Sequence, residues 1–259
     1  MFCITFWCWR VLMWASQVLS KLSSYDELIT GKTPALIIPR VFSKIECSSI
    51  CSKILSIHAS ENGSKFGTSL SSHIYKKSEY FSNAHKSNEF LKKLFSENSS
   101  PLKLMYKNIS KISQKSISTA TENNKIYSDA IIRIHTKNNS VHLHRDNSNF
   151  EMDEYNVSML KNQLSAILYL QSPEKGGELT IFNKMWHKKD ECMRKPEFGY
   201  SSDLIKNVSK TTIAPVEGNM IILNPKFYHQ IESISGTKSR ISLGFFFGEI
   251  SKNYLCSWT

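Results

Sequence analysis

Apolar and polar positions change rhythm near residue 127, and the change divides the chain into two textures. In the first, Pro34-Ala35-Leu36-Ile37-Ile38-Pro39 is a short apolar run between prolines and predicts a strand. Ser43 then suits a helix N-cap, and Ile45, Ile50, Ile54, Leu55 and Ile57 recur roughly at helical spacing. Asn88 to Phe95 and Leu102 to Ile117 predict two more helices, the latter with Leu104, Ile109, Ile112 and Ile117 as its apolar positions. Lys21 to Lys32 is polar and reads as a linker, and Phe66 to Tyr80 is mixed.

Beyond residue 127, alternating or β-branched runs follow one another between Asn, Gly, Pro and Lys clusters. They are Ala130–Thr136, Val141–Asp146, Leu164–Gln171, Glu178–Phe182, Thr211–Ala214, Asn219–Leu223, His229–Ile234 and Arg240–Glu249. Short strands at this cadence predict a sandwich or barrel of the jelly-roll kind. The long gap from Asn183 to Lys210 has no clear period and reads as a functional loop. The expected fold is mainly β with α: N-terminal helices supporting a double-stranded β-helix (jelly-roll) core over about 127–250. A chain of 259 residues has room for one domain of this size, placed at 21–259.

Composition adjusts this picture little. The net charge of +11 invites a nucleic-acid or membrane partner, but the lysines are scattered singly or in pairs, so a solvated surface is expected and no nucleic acid. The six cysteines form no Cys-x-x-Cys pair, which points to a reducing, cytoplasmic setting. Residues 1–20 are strongly apolar yet carry Arg10 in their middle. That is unlike a secretory signal and costly in a spanning helix. A start site placed early, with Met13 as an alternative, a helix packed on the domain and a membrane-surface anchor all stay open for this segment.

The chemistry concentrates in Val141-His142-Leu143-His144-Arg145-Asp146. Residues two apart on a strand share a face, so His144 and Asp146 can reach one point. A third ligand has to come from elsewhere, and His229 lies at the start of a later strand. Two imidazoles and one carboxylate make the facial set of non-haem Fe(II) oxygenases. Arg240 follows His229 by eleven residues, with Ser242 beside it, a cation and a hydroxyl suited to the distal carboxylate of an oxoacid. His58, His73, His85, His142 and His187 read as surface or internally satisfied, Tyr228 as packing, and Phe245-Phe246-Phe247 as core.

His-x-Asp, the later His, Arg-x-Ser and the pair Leu168-Tyr169-Leu170 … Gly176-Gly177-Glu178-Leu179 together resemble the 2-oxoglutarate- and Fe(II)-dependent dioxygenase superfamily over residues 130 to 249. The resemblance implies Fe(II) held by His144, Asp146 and His229, which are at once metal-binding and catalytic. It implies 2-oxoglutarate held by Arg240 and Ser242, O2 as co-substrate, and a small-molecule substrate. A closer likeness, carried by Phe66-Gly67-Thr68, Gln163-Leu164-Ser165, Gly176-Gly177-Glu178-Leu179 and Leu243-Gly244-Phe245-Phe246-Phe247, is to the carrier-independent halogenases and hydroxylases of cyanobacterial indole-alkaloid pathways. In those halogenases a Gly holds the carboxylate position and leaves a site for halide. Asp146 stands there in this chain, a departure that implies hydroxylation or another oxidation. The likeness further implies that Leu70, Ser71 and Val141 line the substrate pocket, with Ser165 and His135 either facing the 2-oxoglutarate or packed in the core.

Two other function classes compete. A dioxygenase acting on protein or nucleic acid fits less well: prolyl hydroxylases use Lys where this chain has Arg240, and demethylases of the AlkB type carry a further Arg where Phe246 stands. A non-catalytic jelly-roll binding module would not need the intact ligand set. The sequence says nothing of oligomeric state.

Overall fold

The structure, a computed structural model, describes residues 14, 17–18, 24–61, 65–95 and 100–259. Among the described residues the α-helices are α1 (Ser24–Ile29), α2 (Lys44–Glu61), α3 (Lys77–Leu94), α4 (Pro101–Ser113) and α5 (Ser148–Glu151). The early strands are β1 (Gln17–Val18), β2 (Ala35–Ile38), β3 (Lys65–Phe66), β4 (Ser116–Thr119), β5 (Thr121–Glu122) and β6 (Lys125–Ile126). The later ones are β7 (Ile131–His135), β8 (Val141–His144), β9 (Lys161–Gln171), β10 (Leu179–Met185), β11 (Lys210–Ile213), β12 (Met220–Leu223), β13 (Phe227–Ile231), β14 (Arg240–Ser251) and β15 (Tyr254–Trp258).

The strands form a large sheet ordered β1-β2-β12-β9-β14-β15-β4, with β7 on β14 and β3 on β7, and a smaller sheet ordered β11-β10-β13-β8. Apart from two parallel pairs, β1–β2 and β15–β4, the ladders are antiparallel. β5 and β6 make a separate hairpin. The long β14 organises the large sheet: it meets β9 along one edge, and β7 then β15 along the other.

Strand alternation separates packing from chemistry. Leu164, Ala166 and Leu168 of β9 and Ile241, Leu243 and Phe247 of β14 are fully buried in the main core, under the helical layer. The alternate residues, Ser165 and Ile167 on β9 and Arg240, Ser242 and Gly244 on β14, line a cavity on the other face. Because the side-chain period in a strand is two, one ladder builds both.

The helices follow their sequence signals with some corrections. Ser43 caps α2 as its pattern predicts: Glu46 N–H donates to Ser43 Oγ at 3.2 Å, and Ser43 N–H donates to the Glu46 carboxylate at 3.0 Å, a reciprocal capping box. Its buried stripe is Cys47, Ile50, Cys51 and Ile54, whereas Ile45 is exposed. The predicted helix Leu102 to Ile117 stops at Ser113, where Gln114 takes a left-handed conformation (φ 56°), and Ile117 belongs to β4. The predicted linker Lys21 to Lys32 contains α1, which buries Tyr25 and Leu28. The helix expected over Asn88 to Phe95 begins eleven residues earlier, at Lys77. The predicted core strands all form, within a few residues of their expected ends.

Most of the 1–20 segment, with its readings as anchor, helix or early start, lies outside the described residues. Trp14 donates its indole N–H to Gly31 O at 3.0 Å, and β1 pairs with β2. Among the described residues no helix is long and apolar enough to cross a membrane.

Candidate functional site

β8 and β13 lie side by side in the smaller sheet with His144 directly opposite His229, and the two rings stand 4.1 Å apart between centroids. Asp146 follows the end of β8, its N–H donating to Pro225 O at 2.9 Å. One Asp146 carboxylate oxygen is 3.4 Å from His229 Nε2 and 4.0 Å from His144 Nε2. The ligand atoms of all three residues lie within 4.8 Å of one another.

Each imidazole is held by its other nitrogen. His144 Nδ1–H donates to His142 O at 2.8 Å and His229 Nδ1–H donates to Phe227 O at 2.9 Å. A carbonyl can only accept, so the proton sits on Nδ1 and each Nε2 presents a lone pair to the shared point. Burial, reinforced by the neighbouring His229, pushes the His144 pKa down to about 4. Burial alone would raise the Asp146 carboxyl, but the His229 and His144 imidazoles and the Arg133 guanidinium around it outweigh that and hold the group at about 2. At neutral pH the set is therefore a carboxylate with an uncharged His144, the protonation states that divalent-metal binding requires.

Between the sheets, in front of this cluster, is a cavity of about 420 Å³. Arg240 lies deep in its wall, 1% exposed, with its guanidinium carbon 4.9 Å over the Tyr169 ring. Its Nη1 donates to His135 Nδ1 at 3.0 Å. Burial and the Arg240 charge keep His135 neutral, with a pKa near 4, so it can accept that bond. Arg240 Nε and Tyr169 Oη are buried without a hydrogen-bond partner. An orphaned donor on a buried cation is what a carboxylate would satisfy. Gly177, at φ +74°, passes so close that an added Cβ would sit 3.0 Å from Arg240 Cδ, which gives the Gly-Gly-Glu-Leu turn a physical purpose.

The other residues singled out in the sequence converge on the same cavity: Ser242 (buried), Leu70 (buried), Ser71 (exposed), Val141 (half-buried), and also Ser165 and His135. Leu70 and Ser71 form a short 3-10 turn, tied down by Leu70 N–H donating to Thr259 O at 3.1 Å. His73 is indeed internally satisfied, against Ser69 O at 2.9 Å. Tyr228 is buried and donates to Asp190 at 3.2 Å.

Sequence reasoning missed other parts of the lining. Arg133 shares its strand face with His135, so parity was the available signal. Segment 194–200 supplies Arg194, Glu197 and Phe198 from within the aperiodic gap, which holds two 3-10 helices, Lys188–Met193 and Ser202–Ile205. Phe198 stands 5.4 Å from the His144 ring. Next to it Gly199 has φ +85°, and an added Cβ would lie 2.5 Å from Leu143 O, so this segment presses on β8. Arg145 anchors it from below, paired with Glu151 at 2.9 Å and Glu191 at 3.1 Å and stacked 4.5 Å from Trp186.

The sequence model of the carrier-protein-independent halogenase WelO5 family matches residues 10–254. The chain belongs to this family. Among curated relatives, the leucinostatins biosynthesis cluster protein S of Purpureocillium lilacinum is 27% identical over 135 residues, covering 50% of this chain and 54% of that protein. The L-gamma-glutamyl-L-propargylglycine hydroxylase of Streptantibioticus cattleyicolor is 25% identical over 126 residues, 47% of this chain and 46% of that protein. The chain thus spans about half the length of the curated relatives it matches. An N-substituted L-amino acid dioxygenase from Burkholderia ambifaria has a similar fold: TM-score 0.65 at 14% identity, covering 92% of this chain and 91% of that one. That dioxygenase is also known in complex with alpha-KG. Within the WelO5 family, named for halogenases, this chain carries Asp146 beside His144.

Proposed function

We propose that residues 21–259 form a single Fe(II)- and 2-oxoglutarate-dependent oxygenase domain on a double-stranded β-helix core, about 127–250, that hydroxylates an unactivated C–H bond of a small molecule. The observation that carries the reading is the convergence of His144, Asp146 and His229 on one point, with the unpartnered Nε of the Arg240 guanidinium deeper in the same cavity. The donor set fits ferrous iron: two imidazole nitrogens and one carboxylate, with room beside them for a chelating oxoacid and oxygen. Ferrous iron with 2-oxoglutarate and O2 supplies the oxidation, the oxoacid leaving as succinate and CO2.

The protein's share is positional. His144, Asp146 and His229 fix the metal, with both imidazoles locked by their backbone bonds. Arg240, with Ser242 two residues along β14, receives the distal carboxylate. Leu70, Ser71 and Val141 bound the space in which the substrate carbon is held. The hydroxylase and the amino-acid dioxygenase among the similar proteins support a natural-product or amino-acid-like metabolite as substrate. The free thiols Cys47, Cys51, Cys192 and Cys256 support a cytoplasmic setting.

Asp146 decides between oxidation outcomes. A halogenase needs a metal position open to halide, and here an anionic oxygen ligand is tethered two residues from His144. Its effective concentration exceeds that of any free anion. The test is succinate release from 2-oxoglutarate by the purified protein. Release that requires Fe(II) is expected, and iron-independent release, or none from iron-loaded protein, would contradict the assignment.

A further inference from the structure

Arg133 is a second cation in the cavity wall, with no role in the reading above. It lies on β7 opposite Ser242 of β14, two residues before His135, and shares the inward face. Its guanidinium leans along the sheet toward Gly244: a Cβ added there would stand 3.8 Å from Arg133 Nη1 and 3.2 Å from Ala166 O. The guanidinium thus lies directly beside the bare backbone of Gly244, which also lines the cavity. Among the described residues its side chain has no ion pair or hydrogen bond, unlike Arg145, Arg194 and Arg240 of the same cavity. The acidic group that acts on it electrostatically is Asp146, which is committed to the two imidazoles. Burial, joined by the like charge of Arg240, depresses the Arg133 pKa.

Charge balance says what would compensate it. Iron, Asp146 and a doubly charged oxoacid carry one net negative charge between them, and Arg240 cancels it. Arg133 is left over as a positive group facing the reacting space. A planar guanidinium with its donors free matches a planar carboxylate in a two-point contact.

We propose that Arg133 is a second carboxylate-binding residue of this cavity, separate from Arg240. The carboxylate belongs either to the oxoacid end that chelates the metal or to an acidic organic substrate. The inference rests on the proposed oxygenase reading, so its test starts from a signal that checks that reading independently.

Fe(II)-loaded protein is titrated anaerobically with 2-oxoglutarate, following the visible charge-transfer absorbance of the iron–oxoacid chelate. Absence of that band in the wild type would fail the oxygenase reading itself, whatever Arg133 does. With the band present, N-acetyl-L-leucine and its uncharged methyl amide are added as probes of acid binding, each read as a perturbation of the band. Wild type, Arg133→Gln and Arg133→Lys are compared, with thermal unfolding to show that the fold is kept. If the oxoacid is the source, Arg133→Gln weakens 2-oxoglutarate binding at least tenfold and Arg133→Lys recovers part of it. If a substrate acid is the source, 2-oxoglutarate affinity is unchanged, the wild type prefers the acid over the amide, and Arg133→Gln erases that preference. Unchanged 2-oxoglutarate affinity in Arg133→Gln, together with an acid preference that is absent from the wild type or survives in the variant, overturns the proposal.

Discussion

The metal corner and the outer wall of the cavity are built differently although they enclose the same space. His144 and His229 sit opposite each other in an antiparallel ladder, where register fixes their separation, and each ring is pinned by a backbone carbonyl. The outer wall comes from a 3-10 turn at 70–72 and from segment 194–200, which has no regular repeat. A ladder cannot slip by one residue without turning its side chains to the other face. A loop can exchange residues at little structural cost. On the proposed function the ladder carries the chemistry and the wall the selectivity, and substitutions in the two regions should fail in different ways.

The largest effect is expected at the ladder. In the proposed site His144→Ala or His229→Ala would remove one of three protein ligands, so iron binding and oxoacid turnover should both disappear while far-ultraviolet circular dichroism stays native. Retained iron-dependent succinate formation in both variants would show that the metal is held elsewhere.

Arg240→Leu comes next. It removes charge-assisted hydrogen bonds worth about 1.5–3 kcal/mol each, so 2-oxoglutarate affinity should fall at least roughly tenfold with iron still bound. An unchanged affinity would mean that another cation holds the distal carboxylate.

A smaller effect follows from the depressed histidines. His135 and His144 stay neutral in the fold down to about pH 4, whereas an unfolded chain protonates its histidines near the ordinary value of about 6.5. The unfolded state therefore binds more protons in that window. Metal-free protein should lose stability as pH falls from about 6.5 to 4, with little further change from these two groups above or below it. Thermal unfolding across this range measures it, and a Tm that does not decline through the window contradicts the buried, neutral assignment.

The smallest effect on turnover is expected at the wall and at Val141, which lines the same cavity from the start of β8. Bulky replacements of Leu70, Ser71 or Val141 should shift which carbon is oxidised while succinate formation persists, uncoupled from product. Unaltered product ratios in all three would place the selective surface elsewhere, with Phe198 the next residue to change.

The same contrast governs what the sequence revealed. Period-two alternation marked the core strands and the His-x-Asp, later His and Arg-x-Ser residues that now share a cavity, because a strand's side-chain direction follows from its spacing. It also held an unread signal, since Arg133 has the parity of His135. Segment 194–200 carries no period, and its place against β8 depends on Gly199 and on Arg145 contacts made across the fold. Helix ends were partly legible: Ser43 capped as its chemistry suggests, but the stop at Gln114 rests on a left-handed residue that no apolar pattern marks.

The central claim is that Asp146 completes the metal site and so sets hydroxylation in place of halogenation. Its most direct test is mass analysis of the product formed by the unmutated protein with Fe(II), 2-oxoglutarate and O2 in excess chloride or bromide, with Asp146→Gly run in parallel for halide binding at the metal. The account predicts a product heavier by one oxygen from the wild type, with halide reaching the iron when Asp146 is shortened to Gly. A halogenated product from the wild-type protein would contradict it.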